Sequence, residues 1–332
     1  MAGTARGPAA ATRVAVLDDY QAVAGSMAGW QECRHRLDVT FSHEHIADPE
    51  VLIGRLREVD VIVAMRERTP LPKSVLARLP RLKLVVTTGM NNAAIAMDAG
   101  VMVCGTQSLT SPTVELTWAL ITALSRGLCQ QAQSLRAGGW QTSVGEGLEG
   151  ATLGLLGLGR IGSRVATVGQ AFGMDVIAWS QNLTPEAAAA HGVRRVGAEE
   201  LFGQADVLSI HLRLSQRTFG LVGRQQLRSM KPTARLVNTS RAGIVDQQAL
   251  AEALREGRIA GAGLDVFDEE PLPADHPLLE VPNALLTPHL GYVVRQNYEL
   301  FYRGALESIC AFLDGEPVRV LSDGRQPRSP AG

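Results

Sequence analysis

Thr152-Leu153-Gly154-Leu155-Leu156-Gly157-Leu158-Gly159-Arg160-Ile161-Gly162 decides how this chain is read. An apolar run ends in G-x-G-x-x-G, the helical segment RIGSRVATVGQAFG follows, and a second β-branched run, MDVIAWS, comes after it. Strand, glycine turn, helix and strand in that order are the fingerprint of a dinucleotide-binding unit. Gly157 permits the tight turn, Gly159 lets backbone approach a pyrophosphate, and Gly162 lets the helix pack on the sheet. The helix start, with Arg160 and Ile161, supplies N–H groups and positive dipole. The fingerprint also asks for an acid at the end of the second strand, and here that place reads Ser180-Gln181-Asn182. Neutral groups such as Ser180 can still bond a ribose. No carboxylate repels a 2′-phosphate, but no arginine stands at the strand end to hold one. The expected cofactor is NAD, with NADP also admitted.

Outward from this turn, TLGLLGLG, MDVIAWS, DVLSIHL, ARLVNTS, IAGAGLDVF and NALLTPH read as strands, separated by helices such as DQQALAEALREG. Upstream, RVAVLDD, DVIVAM, KLVVTTG and VMVCG alternate with PEVLIGRLRE and PKSVLARLP in the same βαβ rhythm. From Thr113 a long apolar-periodic helix, TVELTWALITALSRGLCQQAQSLRAG, breaks that rhythm and stops at Gly138-Gly139. RQNYELFYRGALESICAFLDG reads as a final helix. The leader MAGTARGPAAATR and the tail SDGRQPRSPAG are too small and polar to pack. At 332 residues the chain suits two α/β lobes.

Hydrophobic residues at 45% and a net charge of −1 describe a globular protein, with no surface-wide attraction for nucleic acid or anionic lipid. No run reaches the ~18 apolar residues of a membrane span. Cys33, Cys104, Cys129 and Cys310 lack a C-x-x-C pair and read as reduced, small buried residues of a cytoplasmic protein. His43 and His45 in SHEHIAD have no cysteine or carboxylate cluster to complete a zinc spacing, so a surface loop is expected and no metal.

Three polar residues stand just past three successive predicted strands: Arg241 after RLVNTS, Glu270 after AGLDVF and His289 after NALLTP. The carboxyl ends of parallel strands line one crevice, so these groups converge. Arginine's planar fork suits a carboxylate and an adjacent keto oxygen. Histidine gives and takes a proton near neutrality. Glutamate beside imidazole favours the imidazolium and fixes its orientation. That is the equipment for moving a hydride to or from a small 2-keto or 2-hydroxy acid.

The chain resembles the D-isomer-specific 2-hydroxyacid dehydrogenases, the family of phosphoglycerate dehydrogenases and glyoxylate/hydroxypyruvate reductases. GLGRIG (Gly157 to Gly162), NTSRAGIVD (Asn238 to Asp246), GAGLDVFDEEPLP (Gly261 to Pro273) and TPHLGY (Thr287 to Tyr292) carry the likeness. It implies two lobes of Rossmann-like and flavodoxin-like α/β fold with parallel sheets. A cofactor domain, 105–290, would be inserted into a discontinuous substrate domain, 1–104 with 291–332. It also implies that Arg241 binds the substrate, that His289 is the general acid/base and that Glu270 supports it. Asp265 would hold the nicotinamide carboxamide, or else cap the turn after its strand, and Thr239 would join the cofactor site. The TTGMNN loop, with Gly89 and Met90, would present backbone N–H groups to the substrate carboxylate. The long helix would pair two subunits into a homodimer. His211, ending VLSIHL, would line the cofactor side with no proton transfer.

Four positions depart from the family pattern: Ala242 for glycine, Arg213 for proline, Trp118 where histidine is common, and the aromatic Tyr292. The last three, with Met90, are expected either to shape the pocket or to pack. Two other readings remain open at this stage: an NAD-binding regulatory module of corepressor type, and a formate-type dehydrogenase on the same fold.

Overall fold

Strands buried on both faces of a parallel sheet read as unbroken apolar runs rather than alternating ones. VIVA and LVVT show this, every residue of both being buried. The computed structural model describes residues 11–324. The chain begins with β1 (Thr12–Val16), α1 (Ala24–Met27), β2 (Leu37–Phe41), α2 (Pro49–Leu56), β3 (Val61–Ala64), α3 (Lys73–Leu76), β4 (Leu84–Thr87) and β5 (Met102–Cys104). Next come α4 (Ser111–Arg126), α5 (Leu128–Arg136), β6 (Thr152–Leu156), α6 (Gly162–Ala171), β7 (Asp175–Trp179), α7 (Pro185–Ala189) and β8 (Arg194–Arg195). Then follow α8 (Ala198–Gln204), β9 (Val207–Ile210), α9 (Arg224–Ser229), β10 (Arg235–Asn238), α10 (Gln247–Arg255), β11 (Gly261–Leu264) and β12 (Ala284–Leu286). The last elements are α11 (Arg295–Leu313) and β13 (Val320–Ser322).

Two compact units result. Unit 1 is built from the chain up to Leu109 and from Val294 onward, and unit 2 from Thr110–Val293. The unit 1 sheet runs β13-β5-β4-β3-β1-β2, parallel except for β13, which pairs antiparallel with β5. The unit 2 sheet runs β12-β11-β10-β9-β6-β7-β8 and is parallel throughout. Each sheet reverses its strand order once, between β1 and β3 and between β6 and β9, and a ligand crevice forms at such switch points. In unit 2 the two-residue strand period divides the core: Leu153 and Leu155 of β6 pack on one face and Leu156 on the other.

The α/β class and parallel sheets match the sequence reading, with four local differences. β2 was not expected: at the sheet edge only Leu37 of its five residues is fully buried, so the apolar signal is diluted. β8 is two exposed arginines, too short to register as a strand. The expected single long helix is two, because Gly127 turns left-handed (φ 58°) between α4 and α5. The expected unpacked tail begins later than predicted: Ser322 lies in β13 and its hydroxyl donates to the Met97 carbonyl at 2.6 Å. The rest of the tail, 325–332, and leader residues 1–10 lie outside the described residues. Among the described residues no helix is long and apolar enough to cross a membrane.

Candidate active site

The glycine turn after β6 can be tested by asking what a side chain would meet there. A Cβ on Gly157, whose φ is 105°, would lie 2.8 Å from the His211 carbonyl oxygen, and one on Gly162 would collide with the Gly157 carbonyl. Packing of the turn and helix therefore explains both residues. A Cβ on Gly159 would meet no atom within 4 Å, so the protein's own packing does not require a glycine there. The open space above it leaves room for a ligand to come close to the backbone. Ile161 caps α6 with no side-chain hydrogen bond, and no acidic residue occupies the first turn. An exposed Arg160 stands beside this uncapped helix start, an arrangement that fits a pyrophosphate.

At the end of β7, the Ser180 carbonyl accepts from Leu183 N–H at 3.1 Å, and the Leu183 carbonyl accepts from Arg195 Nε at 2.9 Å. An arginine therefore does stand at this strand end, delivered by β8, contrary to the sequence expectation. His211, just past β9, is pushed down to about 4 by burial and sits with Nε2 2.9 Å from the Ser209 hydroxyl. It is neutral at physiological pH.

β10, β11 and β12 are in register at their carboxyl ends, Asn238 beside Leu264 and Leu264 beside Leu286. The three candidate side chains leave from this edge. Glu270 Oε2 lies 2.6 Å from His289 Nδ1, and its Oε1 accepts from the Phe267 N–H at 2.9 Å. Burial opposes ionisation of Glu270, but the hydrogen bond and charge of His289, the Phe267 N–H and the Arg241 charge together hold its carboxyl below the usual value. The Tyr292 ring stands edge-on to the imidazole, 5.3 Å between centroids. His289 itself adopts φ 52°, a left-handed conformation costly for a residue with a Cβ.

Asp265 over-determines that conformation. It is fully buried, and its carboxylate accepts from the Thr287 hydroxyl (2.7 Å) and the N–H groups of Leu290 (2.6 Å) and Gly291 (2.8 Å). These bonds cap a turn, but it is the one after the neighbouring strand β12 and not, as expected, the one after Asp265's own strand. Asn238 does the same for Arg241: buried at the end of β10, it accepts from Ser240 N–H and donates to the Arg241 carbonyl, each at 3.0 Å. Sequence reasoning missed Asn238, although a lone amide closing an apolar run is a visible signal. The buried Thr239 hydroxyl lies 2.8 Å from the Thr117 hydroxyl of α4.

In unit 1, one expectation needs correcting. The Gly89 N–H is not free for a substrate, because it donates to the Thr106 hydroxyl at 2.8 Å, while Thr106 N–H returns a bond to the Gly89 carbonyl. The neighbouring Met90 is exposed and, among the described residues, no protein acceptor takes its N–H. The Arg66 guanidinium lies over Gly89, so close that a Cβ there would strike it. Trp118 does not shape a pocket: it packs in the unit 2 core against Phe172, centroids 5.0 Å apart. Arg213 is exposed, and its carbonyl accepts from Thr218 in closing the loop after β9. His45 and His43 face the buried Asp18 and Asp19, and no group of three or more metal-type side chains occurs among the described residues.

Comparison with known proteins gives the same direction. The family model described as D-isomer specific 2-hydroxyacid dehydrogenase, NAD binding domain, matches residues 118–291. A glyoxylate reductase of Aeropyrum pernix is 40% identical over 281 residues, covering 80% of this chain and 84% of that protein. A D-3-phosphoglycerate dehydrogenase of Methanocaldococcus jannaschii is 36% identical across 80% of this chain and 52% of its own length. Among solved structures, a phosphoglycerate oxidoreductase of Vibrio cholerae superposes with TM-score 0.86 at 39% identity, over 92% of this chain and 99% of that one.

Proposed function

This chain belongs to the D-isomer-specific 2-hydroxyacid dehydrogenases, NAD(P)-dependent oxidoreductases acting on CH–OH donors, and we propose that it reduces a small 2-keto acid with Arg241, Glu270 and His289 as its catalytic set. The observation that carries the proposal is the 2.6 Å His289–Glu270 pair, issuing with Arg241 from three neighbouring strand ends. When bound, the nicotinamide supplies the hydride for the keto carbon. The Arg241 fork holds the substrate carboxylate and draws charge toward the keto oxygen. Glu270 occupies Nδ1 of His289, so Nε2 is the nitrogen left to give its proton to that oxygen. With its pKa held low, Glu270 stays ionised and stabilises the imidazolium before transfer. Tyr292 limits rotation of the ring, and Asp265 fixes the turn beneath it. In the oxidising direction the same imidazole accepts the hydroxyl proton.

Gly157, Gly159, Arg160, Ile161 and Gly162 would hold the pyrophosphate, Ser180 the adenosine ribose, and the backbone at Thr239 and the turn held by Asp265 the nicotinamide side. NAD is the favoured nucleotide. NADP is admitted because no acid stands at the end of β7 and Arg195 lies one turn away. In unit 1, the Met90 N–H is the donor proposed for substrate, with Gly89 shaping its loop. The relatives' names point to glyoxylate and to a phosphorylated three-carbon acid, and glyoxylate, hydroxypyruvate and its phosphorylated form are the proposed substrate class. Nicotinamide absorbance, with NADH and NADPH offered separately against these keto acids, pyruvate and 2-ketoglutarate, is the test. Oxidation with one of the first group is expected, and silence across the panel would overturn the assignment.

The partner is a second copy of this chain. α5 buries none of its residues, and Leu128, Leu135, Trp140 and Val144 of this helix and the following arm are all exposed, Val144 to 98%. Four exposed apolar side chains within seventeen residues suit a partner, and sedimentation should find a dimer that Leu135→Asp with Val144→Asp dissociates.

A further inference from the structure

We propose that Cys33 and Cys310 are a reversible redox pair, closing to a disulfide that fastens α11 to the first stretch of unit 1. Their sulfurs lie 3.8 Å apart, in contact but unbonded, across 277 residues of sequence. Cys33 ends a short 3-10 turn, Trp30–Cys33, and Cys310 lies in the last turns of α11. Both are partly accessible and Cys129 is exposed, so of the four cysteines expected to be buried only Cys104 is.

The approach is fixed by more than the sulfurs. Trp30 is buried, and its ring N–H donates to the Ala24 carbonyl at 2.9 Å, which anchors the turn. One step farther along both segments, Arg36 Nη2 bonds Asp314 Oδ1 at 2.7 Å, a second tether across the same seam. The Arg36 N–H also bonds the Cys33 carbonyl at 2.8 Å. A disulfide needs sulfurs about 2.05 Å apart, so the two must close by roughly 1.8 Å, a distance that small side-chain rotations on both cysteines can share.

The oxidant is a low-molecular-weight disulfide. The Cys33 thiolate attacks one of its sulfurs and expels one thiolate, leaving a mixed disulfide. Cys310 then loses its proton to solvent and attacks Cys33 Sγ, expelling the second thiolate. Two protein thiols and one small disulfide become one protein disulfide and two small thiols. Burial and the neighbouring Cys33 thiol push Cys310 up to about 11, so Cys310 is the slow, resolving partner. The cross-link joins two stretches of unit 1 that the whole of unit 2 separates in sequence, and a loop this long favours a large stabilisation.

The test is to incubate the full chain with glutathione disulfide, then measure intact mass, free thiols and melting temperature. In a Cys129→Ser background, which removes the exposed thiol, free thiols should fall from three toward one, with loss of about two mass units, a Cys33–Cys310 cross-linked peptide, and a melting temperature higher by several degrees. Cys310→Ser should stop at a glutathione adduct on Cys33, and Cys33→Ser should form no cross-link. Adducts on both cysteines of the parent chain with no cross-linked peptide, or a cross-link through Cys104 or Cys129, would overturn the proposal. So would a cross-linked chain whose melting temperature does not rise.

Discussion

The carboxyl edges of the two sheets both carry buried polar groups, and Asp265 on one and Asp18 on the other are bonded differently. In unit 2, buried Asn238 and Asp265 bond mainly backbone, at Ser240, Arg241, Leu290 and Gly291. That fixes the turns that carry Arg241 and His289, with Arg241 Nη1 donating to the Ser240 carbonyl at 2.8 Å and Glu270 meeting His289 at Nδ1. In unit 1, buried Asp18 accepts from the Thr69 hydroxyl at 2.7 Å and faces His45 Nδ1 at 3.3 Å, while Arg68 bonds the Asp18 carbonyl at 2.6 Å and Tyr298 at 3.2 Å. The Asp18 carboxylate is thus taken up by side chains, although Asp19 beside it accepts from the Val23 and Ala24 N–H groups. A polar residue at a strand end is thus a poor sign of chemistry by itself. What distinguishes the reacting edge is that its buried polar groups shape the turns that carry Arg241 and His289, where His289 meets Glu270.

The largest expected effect tests the reacting edge directly. Arg241→Ala and His289→Ala should each lower kcat/KM by roughly 10²–10⁴ with the fold intact by circular dichroism. Either variant keeping full activity would break the distinction. Next comes a matched pair of carboxylates. Asp265→Asn leaves a backbone N–H poorly satisfied and should lower stability by about 1–3 kcal/mol, together with a fall in kcat of roughly tenfold or more. Asp18→Asn should lower stability comparably in denaturant titrations while leaving kcat alone. Equal effects on kcat would mean the two edges do not differ as described.

Asn238→Ala should act more weakly, raising KM for the keto acid several-fold as the Arg241 turn loosens, with nucleotide affinity unchanged in calorimetry. The smallest effect concerns pH. His211 titrates lower in the folded chain, about 4, than in the unfolded one, near 6.5. Unfolded chains therefore bind the extra proton between those values. Stability should be complete above about pH 6.5 and decline toward pH 4, by on the order of 2 kcal/mol, and His211→Asn should flatten that slope. The lowered Glu270 pKa acts in a more acidic window: its contribution is full above the ordinary carboxylate range and is lost as pH falls through the lowered value.

Much of this was legible because the relevant signals are local. VIVA and LVVT announce strands buried on both faces, and Gly157 and Gly162 are dictated by backbone that comes too close for a Cβ. Arg241, Glu270 and His289 could be grouped because each follows a strand of one parallel sheet. What stayed hidden depends on contacts distant in sequence. Trp118 is apolar core because α6, 44 or more residues on, and Phe172 just past its end pack against it. The Gly89 N–H is taken by Thr106, 17 residues on. Arg195 reaches the end of β7 only because β8 pairs there. Gly127 was visible, but whether a glycine ends a helix or merely weakens it depends on its φ.

The most direct measurement of the central claim is single-turnover reduction of the preferred keto acid by prebound NADH, comparing the parent chain with His289→Asn across pH. The account predicts that the variant binds nucleotide normally but reacts at least roughly 10²-fold more slowly, and that it loses the limb of the parent's pH profile that reports the imidazolium. A variant that reacts at the parent rate, or that keeps that limb unchanged, would show that His289 does not carry the proton.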